Sequence, residues 1–240
     1  MAERAALITG ASSGIGFAIA EVLGEEGFAL TVSARRPDKL EQAARQLQDR
    51  GFEVHPVAAN VGVEEELVNL VKAHRDRFGR LDVLVNNAGV GVGAAVGEMQ
   101  TKRVDLQLNV NLRAVILAYR ECLELLKAVG AEHGNALVVN TSSISGKRGQ
   151  PWLSVYSATK HGVVGFTEAM NKELGTLGIK STALCPGFVD TAMTDFVKEA
   201  VPPEQMIKPR DVAESVRFLL RTSPNCVIPE IIFARPDETF

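Results

Sequence analysis

Tyr156 and Lys160 are the residues of this chain whose types and spacing point most directly to chemistry. They fall early in a run that reads as a helix from Val155 to Leu177, and four positions are about one helical turn, so phenol and ammonium project from one face. An unperturbed phenol has a pKa of about 10, and a fixed cation beside it stabilises the phenolate and lowers that value. The pair is expected to shuttle a proton, although Tyr and Lys one turn apart also line ordinary solvated helix faces. What decides between the two readings lies elsewhere in the chain.

The elements that would position this pair alternate along the sequence. Ala5 to Thr9 is a short apolar run of the kind a buried parallel strand shows, followed by Gly10-Ala11-Ser12-Ser13-Gly14-Ile15-Gly16 and a helical pattern to Glu26. Strand, glycine turn and helix in that order let the backbone approach a pyrophosphate, whose oxygens the first N–H groups of the helix bind. The spacing differs from the G-x-G-x-x-G fingerprint, and a plain tight turn is the other reading.

A second strand, Phe28 to Ala34, ends in Arg35-Arg36, where an acidic residue would be wanted for a ribose 2'-hydroxyl. Guanidinium groups match a 2'-phosphate, so NADP(H) is expected over NAD(H), with Arg35 carrying more of the selectivity than Arg36. A helix from Pro37 to Arg50, a third strand from Glu53 to Ala58, a helix from Glu64 to Phe78 and a strand from Leu81 to Val85 continue the alternation. Asn60, followed by Val61, stands where it could meet an adenine amino group, or serve only as a turn residue.

After the fourth strand come Asn86-Asn87-Ala88-Gly89 and a loop of small residues to Gly97, which makes room at a strand's carboxyl end. A long helix is expected from Thr101 to Val129, with Asn111 in its apolar stripe either accommodated structurally or holding a water. Strand Ala136 to Asn140 ends in Thr141-Ser142-Ser143.

In this order and register, the Thr9 to Gly16 turn, Asn86 to Gly89, Asn111, Ser143, the Tyr156/Lys160 pair and Pro186-Gly187 resemble the short-chain dehydrogenase/reductase family from Leu7 to at least Leu220. The resemblance implies a single-domain α/β Rossmann-type fold, a doubly wound parallel sheet of about seven strands with helices on both faces. It implies a cofactor-binding half at about 1–135 and a catalytic and substrate half at about 136–240. By the same resemblance Tyr156 is the acid/base, Lys160 lowers its pKa and holds the nicotinamide ribose, Ser143 rather than Ser142 steadies the substrate carbonyl, and Asn111 keeps a relay water. The cofactor would run along Gly10, Ser12, Ser13, Gly14, Ile15 and Gly16, then Asn87, Ala88 and Gly89, and reach Pro186, Gly187, Val189 and Thr191.

Two departures stand out. Asn60 replaces the Asp of many relatives, and the segment Cys226 to Phe233 with its polar tail lacks their Asp-Gly-Gly ending, which leaves a homodimer built on the long helices as the minimum and a homotetramer less supported.

Composition narrows the partners. With 46% hydrophobic residues and net charge -3, without a basic stripe, the chain fits one large core and not a nucleic-acid binder. Met1 to Arg4 enter the first strand directly and no apolar run reaches the ~18 residues of a span, so no membrane contact and a cytoplasmic location are expected. Cys122, Cys185 and Cys226 suit neither disulfides nor zinc, and His55, His74, His133 and His161 read as structural, so no metal is expected.

The expected activity is an NADPH-dependent oxidoreductase acting on CH–OH groups, moving a hydride between nicotinamide and a carbonyl or secondary alcohol of a small molecule. Two alternatives are a 3-oxoacyl thioester reductase of lipid synthesis and a non-catalytic NADP-binding regulator. Trp152, Phe188, Met193, Phe196 and Val197 are candidates to face the substrate, and Lys147 and Arg148 to meet an anionic one or simply be solvated.

Overall fold

In the computed structural model, residues 3–236 are described; Met1, Ala2 and residues 237–240 at the end of the polar tail lie outside them. Seven strands form one parallel sheet: β1 (Ala5–Thr9), β2 (Ala29–Ala34), β3 (Val54–Ala58), β4 (Val83–Asn86), β5 (Ala136–Thr141), β6 (Ile179–Pro186) and β7 (Glu230–Phe233). Their order is β3-β2-β1-β4-β5-β6-β7, so the chain builds outward from β1 in one direction, returns, and builds outward in the other from β4. The switch between β1 and β4 opens a crevice at the strands' carboxyl ends.

Strand alternation decides what each face buries. Ala6, Ile8, Val83, Val85, Leu137 and Val139 pack under α1 (Gly14–Glu25), α2 (Pro37–Asp49) and α7 (Pro209–Leu220). The intervening Leu7, Leu84, Ala136 and Val138 pack under α3 (Glu64–Phe78), α5 (Ala114–His133) and α6 (Ser154–Leu174). With both faces covered, the central strands are apolar at nearly every position, as their sequences suggest.

Three expected elements differ in detail. The helix expected from Thr101 to Val129 is α4 (Thr101–Leu108), a π-turn at Asn109–Arg113 and then α5, with the Ala114 N–H donating to the Asn109 carbonyl. The helix expected to run to Leu177 is α-helical only to Leu174 and finishes in a 3₁₀ turn, Gly175–Leu177. The fourth strand starts two residues later than expected, and just before it the Asp82 carboxylate accepts from the Ala5 N–H (2.8 Å) and pairs with Arg80. Despite its unusual sequence, the C-terminal segment supplies β7, which pairs with β6 from Ala183 opposite Glu230 to Pro186 opposite Phe233.

The histidines serve the fold. His74 is buried between the Thr31 hydroxyl (2.8 Å) and the Arg80 carbonyl (2.9 Å), and burial pushes its pKa down to about 4. His161 lies 2.9 Å from the Ser157 carbonyl on its own helix, and His133 3.4 Å from Asp82. His55 packs edge-on against Phe78. Among the described residues no helix is long and apolar enough to cross a membrane, and no three His, Cys, Asp or Glu side chains gather as metal ligands.

Candidate active site

A cleft of about 930 Å³ lies over the carboxyl ends of the strands. Its floor is the glycine turn after β1. Gly10 has φ +67°, and a Cβ there would come within 2.9 Å of the Ala88 Cα; Gly14 has φ +59°, and a Cβ would stand 3.0 Å from Thr191 Cγ2. Both line the cleft with Ser12, Ser13 and Ile15. Gly16 does not line it: it is buried, and a Cβ would lie 2.4 Å from both Asn87 Nδ2 and the Gly10 carbonyl, so it is small to let α1 pack on the turn.

Thr9, the first residue of the Thr9 to Gly16 motif but given no role of its own by the sequence, stitches this floor together. Its hydroxyl oxygen accepts from the N–H groups of Asn87 (3.0 Å) and Ala88 (3.1 Å), while Asn87 Nδ2 donates to the Thr9 and Gly10 carbonyls. The Thr141 hydroxyl completes the seam by donating to Asn87 Oδ1. A Thr as the last strand residue before the glycine turn was the available signal.

α6 presents Tyr156 and Lys160 to the cleft, as their spacing requires. Lys160 is 3% exposed, its Nζ donates to the Thr141 carbonyl at 2.7 Å, and burial pushes its pKa down to about 8. That Nζ stands 5.6 Å from the centre of the Tyr156 ring. The phenol is not lowered as the sequence suggests: burial pushes its pKa up, and the hydrogen bond with Ser143 pulls the other way. Ser143 also accepts from the Ser145 N–H at 3.1 Å, whereas Ser142 donates to the Lys160 carbonyl at 2.9 Å and so braces the helix.

Asn111 lies behind this wall, outside the cleft lining, in the π-turn. Its Oδ1 accepts from the Val90 N–H and its Nδ2 donates to the Val90 carbonyl, both at 2.8 Å; Nδ2 also donates to Thr159 on α6 at 3.2 Å. Both amide hydrogens are thereby used, and the side chain ties the π-turn, the loop after β4 and α6 together. Gly89 sits between it and Lys160, since a Cβ there would meet Asn111 Oδ1 at 3.5 Å and Lys160 Nζ at 3.6 Å.

At one end of the cleft Arg35 and Arg36 are exposed at its lip, and Asn60 and Val61 line it beside them. Asn60 Oδ1 accepts from the Gly62 N–H (3.2 Å), which is the turn role the sequence also allowed. Ser33, fully buried in the same wall, has a hydroxyl with no protein partner. At the other end stand Pro186, Gly187, Val189 and Thr191, then Val92, Gly93, Trp152, Phe188, Met193 and Phe196. Lys147 is turned away into an ion pair with Glu230 (2.7 Å), while Arg148 lines the cleft.

Residues 4–202 match the model of the short chain dehydrogenase family. The chain is a member of the short-chain dehydrogenase family. As such it is an oxidoreductase with a Rossmann-type fold. It is 38% identical to a provisionally named ketoacyl reductase from Streptomyces coelicolor, over 91% of this chain and 90% of the relative. It is 34% identical to an uncharacterised oxidoreductase from Staphylococcus aureus, over 98% of each. An alcohol dehydrogenase from the archaeon Thermococcus sibiricus, complexed with 5-hydroxy-NADP, superposes with a TM-score of 0.86 at 32% identity, covering 98% of this chain and 99% of that one. A substituted actinorhodin polyketide ketoreductase with NADPH gives 0.86 at 36% identity, covering 96% and 94%.

The cleft suits the nicotinamide dinucleotide of this family. The Gly10 and Gly14 positions leave backbone open where a side chain would clash, the Ser33 hydroxyl lacks a partner, and among the described lining residues four are cationic (Arg35, Arg36, Arg148, Lys160) and none is a carboxylate.

Proposed function

We propose that this short-chain dehydrogenase is an NADPH-dependent carbonyl reductase, interconverting a small ketone or aldehyde and its alcohol. The observation that carries the reading is the single wall formed by Ser143, Tyr156 and Lys160, at the opposite end of one cleft from Arg35 and Arg36. Relatives that hold NADPH and 5-hydroxy-NADP support the choice of cofactor.

In this reading Gly10, Ser12, Ser13, Gly14 and Ile15 hold the pyrophosphate, and the guanidinium of Arg35, helped by Arg36, takes the 2'-phosphate. Asn60 and Val61 face the adenine, Asn87, Ala88 and Gly89 run along the middle, and Pro186, Gly187, Val189 and Thr191 orient the carboxamide end. The half of the chain at about 1–135 serves mainly the cofactor and that at about 136–240 mainly the substrate. When bound, the reduced nicotinamide supplies the hydride.

Tyr156 gives its hydroxyl proton to the carbonyl oxygen. Burial keeps the phenol protonated at neutral pH, which is the form an acid needs. Lys160, charged below about pH 8, stabilises the phenolate as the proton leaves. The Ser143 hydroxyl donates to the same carbonyl oxygen, and Asn111 acts as a positioning residue through Val90 and Thr159.

A 3-oxoacyl thioester reductase is the second reading, favoured by the likeness to the Streptomyces coelicolor protein. Exposed Leu106, Leu108 and Ile116 on α4 and α5 support a homodimer, and the sequence reading favours a cytoplasmic protein. The test is NADPH consumption with a panel of ketones, aldehydes and acyl thioesters. Turnover of simple ketones supports the first reading, and turnover of thioesters alone the second. Tight NADPH binding with no turnover would leave a regulator.

A further inference from the structure

We infer that Trp152 and Phe196 form an aromatic wall that selects carbonyl substrates carrying a flat conjugated ring of neutral or anionic character. The inference rests on the reductase reading of the same cleft. Trp152 is the one non-glycine among the described residues with a left-handed backbone, φ 66°. A bulky side chain is unfavourable there, and such strain persists only where the surroundings enforce it.

The surroundings do enforce it. The Trp152 carbonyl accepts from the Ala94 N–H at 2.9 Å, and the indole lies so close to Gly93 that a Cβ there would come within 2.3 Å of ring atoms Cε3 and Cζ3. Yet Trp152 is 57% exposed, so the core gains little from it. Phe196, on the 3₁₀ turn Ala192–Val197, is 62% exposed and its ring centre lies 6.4 Å from that of Trp152 at a 51° tilt. Both rings line the cleft.

A fixed indole face offers offset stacking to a conjugated ring and also attracts cations. The cation reading fails on charge, because no carboxylate lines the cleft among the described residues. A neutral or anionic ring is what remains. Because these contacts lie away from the reacting carbonyl, they act on KM more than on kcat.

The chain has one tryptophan, so its emission reports on this wall alone. The enzyme complexed with NADP⁺, which cannot reduce a ketone, is titrated with 1-tetralone and with cyclohexanone, and KM and kcat are measured for both with NADPH. Trp152→Gly, which relaxes the backbone, is compared with Trp152→Phe. The wall predicts quenching by 1-tetralone at about tenfold lower concentration than by cyclohexanone, the size expected of one stacked ring. It predicts a KM for 1-tetralone raised about tenfold in Trp152→Gly, largely restored in Trp152→Phe, with cyclohexanone nearly unchanged. Equal quenching by the two ketones, or equal KM changes, overturns it. Selective quenching without turnover of any member of the ketone, aldehyde and thioester panel sinks the reductase reading and leaves the wall standing.

Discussion

Asn111 and Val90 exchange two hydrogen bonds, side-chain amide against main-chain peptide, both at 2.8 Å. The exchange imitates one rung of a sheet and fixes the loop after β4 to the π-turn between α4 and α5. The third bond, to Thr159, carries the tie to the turn of α6 that bears Tyr156 and Lys160.

Replacing Asn111 with Leu leaves the Val90 N–H and carbonyl without these partners and removes the tie to Thr159. A loss of about 2 to 4 kcal/mol is expected, since each stranded group costs about 1 to 3 kcal/mol. Urea unfolding measures it, and kcat should fall while NADPH binding changes less.

Lys160 is unfavourable to the fold as an ammonium. Its folded pKa of about 8 lies below the ordinary 10.5, so between those values the unfolded chain holds more protons and this group's contribution to stability rises with pH. Lys160→Met is therefore expected to be as stable as the parent or more so at pH 7, by up to about 2 kcal/mol, with the advantage gone above about pH 10. Its turnover should be at least about 100-fold lower. Thermal melts at the two pH values and NADPH consumption test both halves.

The same titration governs the rate. Ketone reduction needs Tyr156 protonated, which its raised pKa ensures, and Lys160 charged, which holds below about pH 8. The rate constant for reduction should stay level through neutral pH and fall as pH rises through about 8. A pH profile of kcat under saturating NADPH reads this directly.

Arg35→Ala should lower the ratio of NADPH to NADH affinity by about 10- to 150-fold, the equivalent of one charge-assisted bond of about 1.5 to 3 kcal/mol. Arg36→Ala should lower it less. Fluorescence titration with each cofactor gives the ratio.

Much of this arrangement was legible in the chain because its signals are local. Continuous apolar runs marked strands covered on both faces, glycines marked the turn after β1, and the separation of Tyr156 from Lys160 placed both on one helix face. What was not legible depends on partners distant in sequence. The π-turn adds one residue to a helix whose apolar stripe continues, and its partner Val90 is 21 residues away. Lys147 looked available to a substrate until Glu230, 83 residues on, took it. Gly16 reads like its neighbours in the turn, yet only the packing of α1 against Asn87 separates its task from theirs. Nothing in the type of residue 152 announces a left-handed backbone, since tryptophan has no preference for one.

In the proposed mechanism Tyr156 is the proton donor. The most direct measurement mixes Tyr156→Phe, already loaded with NADPH, with a ketone that the parent reduces and follows a single turnover. NADPH affinity close to the parent's and hydride transfer slowed by at least about 100-fold are expected. Transfer at the parental rate would contradict this mechanism.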